Sequence, residues 1–132
     1  MSKKKQKILM IEEDNFLRKI YKNKLTSIGF EFIEAVNGEE GLNKLISEKP
    51  DLVLLDLILP KKNGFDLLIE IRKNKELKDT LVIILSVLSQ ESDIKRGFDF
   101  GAQEYLVKSK MSLSEVVEKV EYWAEKIKKK KA

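Results

Sequence analysis

Apolar and polar positions along this chain repeat one theme five times. A short apolar run is followed by a stretch whose apolar residues recur every three or four positions. The first run, Lys7-Ile8-Leu9-Met10-Ile11, leads into a stripe of Leu17, Ile20, Tyr21, Leu25 and Ile28, stopped by Gly29. Phe30 to Ala35 is the second run. Asn37 with Glu40 three residues later then has the form of a capping box, and the helix it opens ends before Pro50. Leu52-Val53-Leu54-Leu55 and Leu81-Val82-Ile83-Ile84-Leu85 are continuously apolar, as strands covered on both faces are. The first of these passes through the loop Pro60-Lys61-Lys62-Asn63-Gly64 into a helix carrying Leu67, Leu68 and Ile71. The other leads to a short helix marked by Ile94 and Phe98 and closed by Gly101. Tyr105-Leu106-Val107 is the fifth run. Ser112 and Glu115 cap a last helix with Leu113, Val116, Val117, Val120, Ala124 and Ile127 on its apolar face.

This alternation predicts an α/β fold, (βα)5, with a doubly wound five-stranded parallel sheet in a flavodoxin-like three-layer sandwich. The strand order 2-1-3-4-5 is one common solution, and it places ligands beyond the carboxyl ends of strands 1 and 3. Four strands end there in polar residues: Glu12, Glu13 and Asp14 after the first, Asp56 after the third, Ser86 after the fourth, Lys108 after the fifth. Glu13, Asp14 and Asp56 are expected to meet, and gathered carboxylates repel unless a cation sits among them. Taken singly, Asp14 reads as a helix cap, Ser86 as a loop hydroxyl and Lys108 as a charge reaching out from the sheet edge. Asp56 has no such reading, because it stands between Leu55 and Leu57, where an unpaired carboxylate is costly.

Composition narrows the chemistry. A chain of 132 residues, 42% hydrophobic and 36% charged, suits one globular domain. It has no histidine and no cysteine. That excludes disulfides, an imidazole base and the usual zinc ligands, and leaves oxygen ligands suited to Mg²⁺, Ca²⁺ or Mn²⁺. The net charge of +4 belongs to the ends: Lys3, Lys4, Lys5 and Lys7 at one, Lys126 and Lys128 to Lys131 at the other, with an acidic body between. The expected organisation is a basic tail over 1–6, a domain over 7–127 and a basic tail over 128–132. Such tails can touch nucleic acid or anionic membrane, but solvated ends are the simpler reading. No apolar run approaches the roughly 20 residues of a membrane span. Met1 to Lys5 lacks the apolar stretch of a secretory signal.

From about Lys7 to about Ile127 the chain resembles the receiver domain of two-component response regulators. The matching pieces are Ile11-Glu12-Glu13-Asp14, Leu55-Asp56-Leu57-Ile58-Leu59-Pro60 with Asn63-Gly64, Ile84-Leu85-Ser86, and Gly101-Ala102 through Tyr105-Leu106-Val107-Lys108. The ordered set at these spacings is specific where no single piece is. The resemblance implies that Asp56 is the phosphoacceptor, and that Asp14 ligates Mg²⁺, or Mn²⁺, with help from Glu13 and the Ile58 carbonyl. It also implies that Lys108 pairs with the phosphoryl oxygens, that Ser86 donates to the phosphoryl group, and that Tyr105 swings inward when Ser86 moves. The implied partners are a sensor histidine kinase or phosphotransfer protein, and a downstream protein or second copy at the face of helix 4, strand 5 and helix 5. That face carries Lys95, Arg96, Tyr105, Tyr122 and Trp123. A cytoplasmic location, no classical enzymatic activity and no specific nucleic-acid contact by this domain are implied as well.

Three positions depart from the commonest pattern. Glu13 stands where Asp is more usual, Val87 where a small residue is common, and Ser109 where proline, often cis, is frequent. Without proline a cis bond costs about 2.5–4 kcal/mol, so a trans bond with a shifted loop, or stored strain, is expected. Other classes fit less well. A phosphohydrolase of the haloacid dehalogenase type wants Asp-x-Asp after its first strand. A nucleotide or flavin binder wants a Gly-rich loop where this chain has Glu12-Glu13-Asp14-Asn15. A degenerate receiver acting as a constitutive docking module is the principal alternative.

Overall fold

The computed structural model describes residues 4–131. Five strands and five helices alternate: β1 (Lys7–Ile11), α1 (Asn15–Ser27), β2 (Glu31–Ala35), α2 (Gly38–Glu48), β3 (Leu52–Leu55), α3 (Gly64–Lys73), β4 (Leu81–Ser86), α4 (Glu91–Asp99), β5 (Glu104–Val107) and α5 (Leu113–Lys131). A 3₁₀ turn, Lys108–Lys110, separates β5 from α5. The strands form one parallel sheet in the order β2-β1-β3-β4-β5.

Successive strand residues face opposite sides, so the apolar runs feed two cores. Ile8, Met10, Leu52, Leu54, Ile83 and Leu85 pack on one side with Tyr21 and Leu25 of α1 and Val116, Val117 and Val120 of α5. Leu9, Ile11, Val53, Leu55, Val82 and Ile84 pack on the other with Leu45 of α2 and Leu67, Leu68 and Ile71 of α3. Each such side chain contributes about 1.5–3 kcal/mol by leaving water. The helix starts are set locally. The Asp14 side chain accepts from the Phe16 and Leu17 N–H groups, Asn37 from Glu40, and Asn63 from Asp66. Ser112 and Glu115 form the expected reciprocal box, with bonds of 3.1 and 2.9 Å.

One expectation needs adjustment. Helix α5 runs on to Lys131, so residues 128–131 are its last turn rather than a separate tail. Lys128, Lys129 and Lys130 there complement the negative end of the helix dipole. Residues 1–3 of the basic N-terminal tail lie outside the described residues. No peptide bond among the described residues is cis, so the Lys108–Ser109 bond is trans and the chain turns away through the 3₁₀ segment. No described helix is long and apolar enough to cross a membrane.

Candidate functional site

Strand register assembles the site. Ile11 of β1 pairs with Leu55 of β3, so Glu12 and Asp56 leave the sheet side by side at its carboxyl edge. Ser86 of β4 pairs with Val107 of β5, which brings Lys108 to the same edge. Lys108 Nζ bridges the two carboxylates, donating to Glu12 Oε1 at 2.6 Å and Asp56 Oδ2 at 3.2 Å. Glu12 is 3% exposed and Asp56 6%. Two carboxylates at that depth need their countercharge, since breaking a buried pair costs about 3–5 kcal/mol. Asp56 Oδ1 receives a long hydrogen bond of 3.4 Å from the Ile58 N–H.

The protonation states follow from this packing. Burial raises the Glu12 carboxyl above its ordinary value, only partly offset by the hydrogen bonds from Lys108 and the Asp14 N–H. Burial acts to lower the Lys108 ammonium. The Glu12 hydrogen bond and the attraction of Asp56 outweigh it, so the net shift is upward and Lys108 stays charged.

Glu13, Asp14 and Asp56 do not meet as expected. Among the described residues, no three acidic, histidine or cysteine side chains are gathered as a ready metal cluster. Glu13 and Asp14 are exposed. Asp14 Oδ1 is committed to the cap of α1, at 2.9 and 3.1 Å from the Phe16 and Leu17 nitrogens. Glu12 takes the inner place because it, and not its neighbours, extends the strand by one residue in register with Asp56. That register is set only by the pairing of β1 with β3, so nothing in the acidic run itself singles out Glu12.

Arg18 is a member of the site that sequence pattern does not single out. It occupies a position on α1 outside the predicted apolar stripe, yet it is buried. Its Nη1 donates to the carbonyls of Glu12 and Glu13 at 2.7 and 2.9 Å, its Nε to Glu34 Oε1 of β2 at 2.9 Å, and its Nη2 to Asn15 Oδ1. Arg18 therefore fastens the acidic loop to α1 and β2. Its only sequence signal is a basic residue one helical turn after an acidic run.

The remaining predicted residues lie close by. Ser86 is fully buried, and its Oγ accepts from the Leu88 N–H at 3.3 Å. The Leu88 carbonyl accepts from the Tyr105 hydroxyl at 2.8 Å, so one residue bridges the two. Burial, then Asp93 and Asp56, push the Tyr105 phenol up to about 12. Ile58 and Val87 are exposed at the rim, as is Phe16. Gly64 opens α3 hard against the strand: a Cβ there would lie 2.6 Å from Leu57 Cα and clash with the Asp56 carbonyl. Glycine is what permits α3 to start against the Asp56 backbone. On the face of α4, β5 and α5, Lys95 pairs with Asp99 at 2.7 Å and the Trp123 indole donates to Glu104 at 3.1 Å. The Arg96 guanidinium stacks 4.1 Å over the Phe65 ring, and Tyr122 lies edge-on to Trp123 with its side chain exposed.

Comparison with known proteins bears on the family and the fold. The model of the response regulator receiver domain matches residues 8–121. A probable transcriptional regulator, ycf27, of Porphyridium aerugineum is 40% identical over 104 residues, 79% of this chain and 42% of the relative. The chain thus spans about two fifths of that relative's length. A CheY-like receiver domain protein of Methanospirillum hungatei shares the fold at a TM-score of 0.88 and 24% identity, covering 96% of this chain and 99% of the other. The Mn²⁺-bound form of response regulator Rcp1 is similar at a TM-score of 0.75 and 30% identity, covering 87% and 88%. With a matching family model over nearly the whole domain and an Asp–Lys pair buried at the switch point of a 2-1-3-4-5 sheet, this chain belongs to the response regulator receiver domain family.

Proposed function

We propose that Asp56 accepts a phosphoryl group from a sensor histidine kinase or phosphotransfer protein, and that the face of α4, β5 and α5 reads out the result. One observation carries this reading: Asp56 is buried at the carboxyl edge with one oxygen on Lys108 and the other held by a single long hydrogen bond. A carboxylate oxygen of Asp56 forms the new P–O bond as the donor's P–N bond breaks. The electron pair leaves with the donor imidazole. Lys108 offsets charge on the transferring group, and such preorganised countercharge is typically worth about 10²–10³ in rate. Ser86 uses Oγ as an acceptor from Leu88, so its own proton is available to a phosphoryl oxygen. Tyr105, tied to the same Leu88, carries the displacement to β5.

The oxygen donors fit a hard divalent cation, Mg²⁺ with Mn²⁺ as a substitute. Glu12 and Asp56 would hold it, with Glu13, the Ile58 carbonyl and the second oxygen of Asp14 at the rim. The ion supplies charge neutralisation for phosphoryl transfer. The Mn²⁺-bound Rcp1 supports that assignment, and the probable transcriptional regulator among the relatives supports output through gene control; the location proposed with it is the cytoplasm. The exposed Val87 side chain narrows access beside Ser86, so Val87→Ala is expected to speed phosphorylation by small donors; an unchanged rate removes that role.

The test is incubation with Mg²⁺ and acetyl phosphate, read by intact mass, with Asp56→Asn alongside. A mass gain of one phosphoryl group that needs Mg²⁺ and is absent in the variant is the expected result. A wild type that gains nothing, while still binding partners, would identify a constitutive docking module instead.

A further inference from the structure

Glycine inside a helix is a cost, because it loses the most backbone freedom on folding and brings no side chain to pack. Gly97 lies inside α4, a helix of only nine residues, and it is buried. A Cβ at this position would lie 2.7 Å from Cδ2 and 3.1 Å from Cε2 of Tyr105, and 2.8 Å from Cδ1 of Ile84. Carbon atoms in protein interiors pack at about 3.5–4.0 Å. Two of these three close approaches are to one ring. Ile84 and Tyr105 are register partners on β4 and β5, and both side chains lie in the same core, against α4 at Gly97. In that buried position its hydroxyl donates to the Leu88 carbonyl at 2.8 Å. The Arg96 stack on Phe65 holds the neighbouring turn of α4 to α3.

We infer that Gly97 is a positioning residue for the output face: its missing side chain is the seat that lets the Tyr105 ring lie beneath α4. Any side chain at 97 drives the ring outward onto the face of α4, β5 and α5, or lifts α4 off the sheet. Either way the Leu88–Tyr105 hydrogen bond is lost and with it the link to Ser86. The signalling consequence rests on the phosphoacceptor reading of Asp56; the packing claim does not.

The experiment is a thermal double-mutant cycle on the full chain: wild type, Gly97→Ala, Tyr105→Ala and the double variant. Alanine is the better helix former, so without a seated ring it should help. The expected result is a reversal of sign. Gly97→Ala lowers the Tm of the wild type by about 5 °C or more and raises or preserves that of Tyr105→Ala. A fall of equal size in both backgrounds, or failure of both to fold, assigns the cost to Ile84 or the helix backbone and overturns the seat. So does a rise in both. A second arm follows acetyl phosphate labelling and Trp123 fluorescence, since the indole bonds to Glu104 beside Tyr105. Gly97→Ala should be labelled at the wild-type rate but lose the fluorescence response; a retained response overturns the coupling role. If the wild type takes no phosphoryl group, the phosphoacceptor reading fails while the thermal cycle still decides the seat.

Discussion

At the amino edge of the sheet, Arg72 spends its guanidinium on neutral partners. It donates to the Gly101 carbonyl at 3.2 and 2.6 Å, to the Lys78 and Thr80 carbonyls at 2.9 and 2.7 Å, and to Gln103 Oε1 at 3.2 Å. At the carboxyl edge, Lys108 instead bridges two buried carboxylates. Both cations tie loops together. The first leaves a cation whose donors are all satisfied by dipoles, and burial lowers the Arg72 pKa. The second leaves one uncompensated negative charge and Asp56 Oδ1 weakly bonded. Buried polar groups alone therefore do not mark a site; unmatched charge on a weakly bonded oxygen does.

The comparison is open to breaking, and the largest effect should come from Lys108→Met. It is expected to slow acetyl phosphate labelling of Asp56 about 10²–10³-fold. A labelling rate near wild type would return Lys108 to a structural role like that of Arg72. Next, Arg72→Met should destabilise by about 2–3 kcal/mol in urea unfolding, because several carbonyls lose their donors together. Labelling of the folded fraction should be unchanged; an effect on labelling would mean that the two edges are coupled.

Tyr105 supplies the pH test. Its raised pKa means that the folded state keeps a proton the unfolded chain loses. Stability contributed by the phenol is present below its ordinary value of 10.0 and is lost as pH rises through about 12. Tyr105→Phe should flatten the stability curve over that window, leaving the part due to Tyr21, which burial and Glu12 also push up to about 12. The smallest effect concerns the two left-handed lysines, one at each edge: Lys49 with φ 46° at the end of α2, and Lys61 with φ 67° in the loop after Asp56. Glycine at either position relieves strain and should stabilise by about 0.5–1 kcal/mol. Only Lys61→Gly should alter the dependence of labelling on Mg²⁺, and equal behaviour of the two would blunt the distinction between the edges.

Much of this fold is legible in the order of residues alone. Apolar runs separated by helical stripes determine the five units, since burial on two faces and on one face leave different periods in the sequence. The positions of Asp56, Ser86 and Lys108 at strand ends follow from where those runs stop. The caps at Asn37 and Ser112 are visible as local side-chain spacing. What the sequence could not decide is which member of the Glu12-Glu13-Asp14 run faces Asp56. Three adjacent acids are equivalent in composition, and only the pairing of Ile11 with Leu55 across the sheet selects Glu12. Arg18 and Gly97 are hidden for the same reason. Their partners, the acidic loop's carbonyls and the Tyr105 ring, come from other segments of the chain. Local pattern determines elements because helix and strand periods are short-range; the contents of a site and the seat of a ring are decided by register between strands, which exists only once the sheet has formed.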